Sequence, residues 1–326
     1  MKIMFMTLRD RVERFTDFSN LSKDWEYVFA GYEKDTTKLL EMGGDADAIL
    51  ADAITPVPKE LIEAMPNLKI IHSEGVGYEG INLAAADEKQ IYVCNTAVAE
   101  QAVMLMLMVL RHAVTGHNRV LEGRQIEAKA SWSMEGISEL GSMHVGIIGM
   151  GDIGIETAKL LNAFGCRVSY NKRYPLSPSQ EKEYNVTYMS ADDILKNCDI
   201  VSLHIPSNKE TFEYMNEERF AMMKKGSILI NTARGEVVKN EALLEALKSG
   251  QIAAAGLDVL APEPVKEDNI VVKAMKNDGE LAEKIVLAPH IGGLTVQTFD
   301  KIYGTIWSNF KKVCAGETPV NIVNHP

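Results

Sequence analysis

The hydrophobic positions of this chain fall into short runs separated by stretches of helix length. Lys2-Ile3-Met4-Phe5-Met6, Ala48-Ile49-Leu50-Ala51, Leu68-Lys69-Ile70-Ile71-His72 and Ile91-Tyr92-Val93-Cys94 read as strands, with helical patterns near residues 34–42, 58–65 and 80–88. Near-continuous apolar strands alternating with helices point to a parallel sheet covered on both faces. A long helix is expected from residue 98 to 110, continuing towards 121. Its core, Met104-Leu105-Met106-Leu107-Met108, is apolar all round, which predicts burial on most sides. The methionine stripe reads as packing, because methionine fills irregular core gaps.

A second series starts at His144. Val145-Gly146-Ile147-Ile148, Arg167-Val168-Ser169-Tyr170, Val186-Thr187-Tyr188, Ile200-Val201-Ser202-Leu203, Ile228-Leu229-Ile230, Ala253-Ala254-Ala255-Gly256-Leu257 and Ile285-Val286-Leu287 read as its strands. A helix from Glu241 to Lys248 closes on Gly250, a residue suited to the left-handed position after a helix. Two such series predict an α/β fold of two doubly wound, Rossmann-like parallel sheets with the active site in the cleft between them. In the tail from about Thr295, Phe299, Ile302, Ile306 and Phe310 recur at helical spacing, an amphipathic helix able to pack on either domain.

Composition narrows the class. The chain has 326 residues, 46% of them hydrophobic and 24% charged, as expected of a folded protein of about two domains. Four scattered cysteines (Cys94, Cys166, Cys198, Cys314) with no Cys-x-x-Cys argue against a disulfide framework or structural zinc. Met1 to Met6 lead directly into charged Arg9-Asp10-Arg11 with no small-residue cleavage site. The longest apolar run, Ala102 to Leu110, is too short to span a bilayer. A cytoplasmic protein is expected. The formal charge of −11 disfavours nucleic-acid partners, and any anionic ligand must be held by local amides or guanidinium groups.

The strongest local signal is Gly149-Met150-Gly151-Asp152-Ile153-Gly154, set between a strand and a helix. A G-x-G-x-x-G string is weak alone, but this context is the one a dinucleotide fold requires. The first glycine makes the turn, the second admits the pyrophosphate, and the third lets helix pack on strand. Amides at the helix start, at Asp152 and Ile153, would hold the anion. Further on, Asn231-Thr232-Ala233-Arg234-Gly235, Gly256-Leu257-Asp258-Val259 with Glu263-Pro264, and Pro289-His290-Ile291-Gly292-Gly293 each follow an expected strand. Each therefore falls at the carboxyl edge of the sheet, where ligands bind. Singly, an arginine there is usually a surface charge and a lone histidine a loop or core residue. Together with the glycine turn they suggest a carboxylate clamp and an acid/base.

With these motifs the sequence resembles the D-isomer-specific 2-hydroxyacid dehydrogenase family over essentially its whole length. Gly75-Val76-Gly77-Tyr78-Glu79-Gly80-Ile81 and Ala97-Val98-Ala99-Glu100 add to the match. The resemblance implies a substrate domain of residues 1–97 and 295–326, interrupted by a dinucleotide-binding domain of residues 98–294 that carries a helical dimerisation arm. It implies Arg234 on the substrate carboxylate and carbonyl, His290 as acid/base, Glu263 paired with His290, and Asp258 facing the nicotinamide amide. The backbone of Gly75, Val76 and Gly77 would take the substrate carboxylate, and His204, Pro206, Thr232 and Ala233 join the cofactor contacts. A homodimer and a 2-oxo acid substrate follow from the same likeness.

The chain departs from the family pattern in places. Asn82 stands where an aspartate is common, Lys239-Asn240 where an acidic residue is frequent, and the segment before Val98-Ala99-Glu100 is short. Glu74, beside the carboxylate-binding loop, would repel an anion if it pointed inward. Pocket residues are expected from Thr7 to Asp10, Ser73-Glu74, Tyr78 and Trp132, which leaves the particular 2-oxo acid open. About 20 residues beyond the glycine turn, where an acidic residue normally meets the adenosine ribose, the chain reads Asn171-Lys172-Arg173. That favours NADP over NAD. The rival reading is a dinucleotide-sensing corepressor or scaffold of the same fold, since fold does not dictate function.

Overall fold

The computed structural model describes the chain except Val76, Thr96, Ala97, Val98 and Gly136, and except the side chains of Met134 and Glu135. The expected substrate contact at Val76 and the expected helix start at Val98 thus lie outside the described residues. The chain divides into two compact units, Met1–Val98 with Gly293–Pro326, and Ala99–Gly292.

The first unit is built on a five-stranded parallel sheet: β1 (Lys2–Met6), β2 (Glu26–Phe29), β3 (Ala48–Ala51), β4 (Ile70–Ser73) and β5 (Tyr92–Cys94), in the order β2-β1-β3-β4-β5. The central strands are buried along their whole length, which is why they read as unbroken apolar runs. β2 was not expected. It is an edge strand, half exposed, whose Glu26 breaks the apolar run that marks its neighbours. Helix Val296–Cys314 is capped by Thr295, whose Oγ1 accepts from Thr298 N at 3.0 Å. It lays Ile302, Tyr303, Ile306, Trp307 and Phe310 on one face of the sheet, against Ile3, Phe5, Leu50 and Ile70. The tail helix therefore belongs to this unit.

The second unit holds seven parallel strands: β6 (His144–Ile148), β7 (Arg167–Asn171), β8 (Thr187–Tyr188), β9 (Ile200–Leu203), β10 (Ser227–Asn231), β11 (Ile252–Leu257) and β12 (Ile285–Leu287). Their order is β12-β11-β10-β9-β6-β7-β8, the doubly wound arrangement, and it reverses between β6 and β9. The expected long helix is two helices, Glu100–Leu110 and Ala113–Leu121. His112 between them takes a left-handed φ of 48°, which stops the first helix, and its ring stacks on Trp132 at 5.2 Å. The first helix is buried on most sides, as expected: Leu105 and Met106 are inaccessible, and Met104 is 39% exposed. The sequence pattern also assigned nothing to residues 269–284, where Asn269 and Asp278 cap two short helices, Ile270–Asn277 and Gly279–Lys284. Among the described residues no helix is long and apolar enough to cross a membrane.

Candidate active site

The glycine turn sits where the strand order of the larger sheet reverses. Gly149 follows β6 with φ +105°, and a Cβ there would lie 2.3 Å from the carbonyl oxygen of His204, which follows β9. Gly154 packs as closely: a Cβ would fall 2.4 Å from Gly149 O. Gly151, the N-cap of helix Asp152–Phe164, faces open space, and among the described residues no side chain caps the helix. The turn therefore leaves a bare cradle before the amides of a 13-residue helix, as a pyrophosphate requires. Two buried polar atoms nearby, Thr232 Oγ1 and His204 Nδ1, have no hydrogen-bond partner among the described residues. Burial holds the His204 imidazole neutral, lowered to about 4, and its Nε2 pairs with Ser202 Oγ at 2.9 Å. Pro206 is exposed at the same edge, and its carbonyl accepts from Thr211 Oγ1 at 2.6 Å. Together these residues suit a dinucleotide.

At the far end of β7 the Asn171 amide donates to Met189 O at 3.0 Å. Lys172 is half-buried, whereas Arg173 is exposed and paired with Glu210 at 2.5 Å. The sequence offered no sign of that partner, which lies 37 residues away.

The catalytic candidates cluster beyond β10, β11 and β12. Asn231, at the end of β10, ties the following turn: its Oδ1 accepts from Ala233 N at 3.0 Å and its Nδ2 donates to Arg234 O at 2.9 Å. The half-buried Arg234 donates from Nη1 to Ala233 O at 2.7 Å. His290 Nδ1 lies 2.8 Å from Glu263 Oε2. That bond raises the imidazole pKa above its ordinary value, against the cost of burial. Arg234 lies near enough for its charge to push the other way. His290 itself sits at φ 56°, a left-handed conformation that an asparagine or glycine adopts more easily. Asp258 holds it there. The carbonyl of Asp258 accepts from His290 N at 2.8 Å, and its carboxylate accepts from Ile291 N at 3.1 Å and Gly292 N at 2.8 Å. Gln101 Nε2 closes the arrangement with a 2.9 Å bond to the same carboxylate, which is 2% exposed. Sequence reasoning missed Gln101, because it stands 157 residues from its partner.

In the smaller unit Ser73, the last residue of β4, donates to the carbonyl of Gly77 and so folds the Gly75 loop back on the strand end. Glu74 does point inward. Its carboxylate is fully buried and accepts from Thr7 Oγ1, from Tyr303 OH and, at 2.7 Å, from Arg11 Nη1. Desolvation still lifts its pKa above the ordinary carboxylate range.

A glycine turn at the reversal point of a doubly wound sheet, with an imidazole–carboxylate pair and an arginine at its strand ends, defines a dinucleotide-dependent oxidoreductase. The family model of the D-isomer specific 2-hydroxyacid dehydrogenase NAD binding domain matches residues 103–292. A glyoxylate reductase of Thermococcus litoralis is 36% identical over 294 residues, covering 88% of this chain and 86% of its own. A hydroxypyruvate reductase of Blautia hydrogenotrophica is 33% identical over 297 residues, covering 89% and 88%. The structure of D-lactate dehydrogenase from Aquifex aeolicus, complexed with NAD and lactic acid, superposes with a TM-score of 0.76 at 27% identity over the whole of both chains. The chain belongs to the D-isomer-specific 2-hydroxyacid dehydrogenase family, oxidoreductases that interconvert 2-oxo acids and D-2-hydroxy acids with a nicotinamide dinucleotide. The corepressor reading finds no support among these relatives.

The Glu263 bond has a measurable consequence. His290 is expected to titrate above 6.5 by NMR, and Glu263→Gln to bring the midpoint down. Because the folded pKa is raised, protonated His290 stabilises the fold fully below its unfolded pKa and loses that effect as pH rises through the folded value. A midpoint unmoved by Glu263→Gln would show that the pair does not control the imidazole.

Proposed function

We propose that this protein works as a reductase of a small 2-oxo acid, with Arg234, Glu263 and His290 as its catalytic set. The observation that carries the reading is the 2.8 Å His290–Glu263 bond, with Arg234 close enough for its charge to act on the imidazole, on a unit that matches an NAD-binding domain. The relatives named glyoxylate reductase and hydroxypyruvate reductase support a small substrate.

Reduction adds a hydride at C2 and a proton at the carbonyl oxygen. The bound dinucleotide supplies the hydride. Glu263 occupies Nδ1, so Nε2 of protonated His290 is the nitrogen that gives the proton, and the carboxylate stabilises the imidazolium beforehand. Arg234 pairs with the substrate carboxylate through its planar fork and orients the carbonyl carbon. By the family resemblance, amides of the loop that follows Glu74 would also take a substrate carboxylate. Asp258 acts through the turn it holds, with one lone pair left that would take the nicotinamide amide. Gly149, Gly151, Asp152, Ile153 and Gly154 hold the pyrophosphate, with His204, Pro206, Thr232 and Ala233 lining the same edge.

A panel of 2-oxo acids offered with both reduced cofactors tests the reading, since no turnover with any of them would sink it. Arg234→Lys should keep the charge, lose the fork and forfeit about 1.5–3 kcal/mol, or one to two decades of rate. His290→Gln should lose about 10²- to 10⁴-fold in kcat while dinucleotide binding, read by fluorescence, persists.

We further propose NADPH as the preferred cofactor. Asn171-Lys172-Arg173 presents no carboxylate to a 2′-phosphate. The Arg173–Glu210 pair is exposed on both sides and so contributes about 0–1 kcal/mol. A charge-assisted phosphate contact is worth about 1.5–3 kcal/mol, enough to draw Arg173 away from Glu210. The ratio of kcat/KM for NADPH and NADH decides the matter. A tenfold preference for NADH would refute it, and Arg173→Ala should weaken NADPH alone.

A cytoplasmic homodimer completes the proposal. Leu121 and Ile126 on the helical arm are each about three-quarters exposed, apolar surface that a second copy would cover. Sedimentation should give twice the chain mass, and Leu121→Asp with Ile126→Asp should return it to monomer; a monomeric parent would refute the arm's role.

A further inference from the structure

The carboxyl edge of the five-stranded sheet carries a charged cluster that the hydride-transfer machinery does not use. The register aligns Met6, Ala51 and Ser73 across β1, β3 and β4. One step further along these strands come Thr7, Asp52 and Glu74. The strand order reverses between β1 and β3, so this row flanks the crevice in which an open parallel sheet takes a ligand.

Arg11, on helix Arg9–Arg14, reaches into the row. Its Nη1 donates to Glu74 Oε2 at 2.7 Å and to Asp52 Oδ2 at 3.0 Å. The guanidinium also lies over the Phe299 ring, 5.2 Å from its centroid. Its Nε and Nη2 make no hydrogen bond to a described residue, and the side chain is 23% exposed. Both carboxylates are otherwise engaged: Glu74 by Thr7 and Tyr303, Asp52 by Tyr32 OH at 3.1 Å and Ile54 N at 3.2 Å. The guanidinium is thus fixed on one side by acceptors and open on the other with three N–H donors. With one guanidinium committed to two carboxyl groups, the cluster has no surplus positive charge to offer a second carboxylate on the ligand, whereas a neutral oxygen would meet free donors.

We propose that Arg11 is a specificity residue that donates to a neutral oxygen on C3 of the substrate, so that the protein prefers a 3-hydroxy-2-oxo acid over both its deoxy analogue and a dicarboxylic one. Glu74 and Asp52 are positioning residues that hold the guanidinium. The inference rests on the reading above that the loop directly after Glu74 takes the substrate carboxylate. A site built to hydrogen-bond a substrate hydroxyl rejects the analogue without it, because its own donors are then left unpaired.

The test is kcat/KM of the full chain for hydroxypyruvate, pyruvate, oxaloacetate and glyoxylate, the last being a control with no C3. Wild type should prefer hydroxypyruvate over pyruvate by about tenfold or more, and over oxaloacetate by at least as much. Arg11→Lys keeps a cation beside Glu74 but removes the outward donors. It should cost hydroxypyruvate roughly tenfold and leave pyruvate and glyoxylate within about threefold. Asp52→Asn, nearly isosteric, removes one negative charge and should raise oxaloacetate turnover relative to pyruvate by roughly fivefold. Equal treatment of hydroxypyruvate and pyruvate by wild type would overturn the proposal, as would a uniform loss across substrates in Arg11→Lys with an unchanged melting temperature. If Arg11→Lys does not fold, Asp52→Asn decides, and an unaltered substrate ranking overturns the idea. Turnover of the panel without this selectivity removes only the role of Arg11, whereas no turnover at all removes the reductase reading with it.

Discussion

Every strand in each sheet runs the same way, and the chemistry of both units follows from that constraint. A parallel sheet sends all its strand ends to one edge, so residues far apart in sequence arrive side by side there. In the larger unit this gathers the glycine turn after β6, His204 after β9, Arg234 after β10, Asp258 after β11 and His290 after β12. In the smaller one it gathers Thr7, Asp52 and Glu74. The cost of the arrangement is close backbone approach at the reversal point, visible where Gly149 faces the His204 carbonyl with no room for a side chain.

Electrostatics works locally against the global charge. The protein carries −11 overall, yet the groups at these edges are amides, an arginine and a histidine whose pKa a neighbouring carboxylate raises. Carboxylates at the edges are nearly all committed to internal donors. Asp258 is taken up by backbone amides and Gln101, and Glu74 by Thr7, Arg11 and Tyr303. An acidic chain can in this way receive an anion without turning its own acids towards it.

The central strands were legible because burial on two faces writes itself as uninterrupted apolar residues. β2 escaped notice because an edge strand is half wet, and the break at His112 because a left-handed residue leaves no hydrophobic signature. The glycine turn could be read from local spacing alone. The pairing of His290 with Glu263 could not: 27 residues separate them, and only the resemblance to a family brought them together. Gln101, Glu210 and Arg11 had neither local spacing nor family pattern to announce them, and Glu74 was marked only by its place beside the Gly75 loop. Their partners are set by tertiary packing, which a linear pattern does not encode.

The knot around Asp258 also bears on how the larger unit is threaded into the chain. Gln101 lies in its first turn of helix and Gly292 is its last residue, and one carboxylate binds both. A Cβ placed on Gly292 would lie 3.4 Å from that of Gln101. The entry and exit of nearly two hundred residues are therefore fastened at a single point, like the two ends of a purse string. A module whose ends already touch can be inserted into a host loop without stretching either, and can be circularly permuted without unpicking its core.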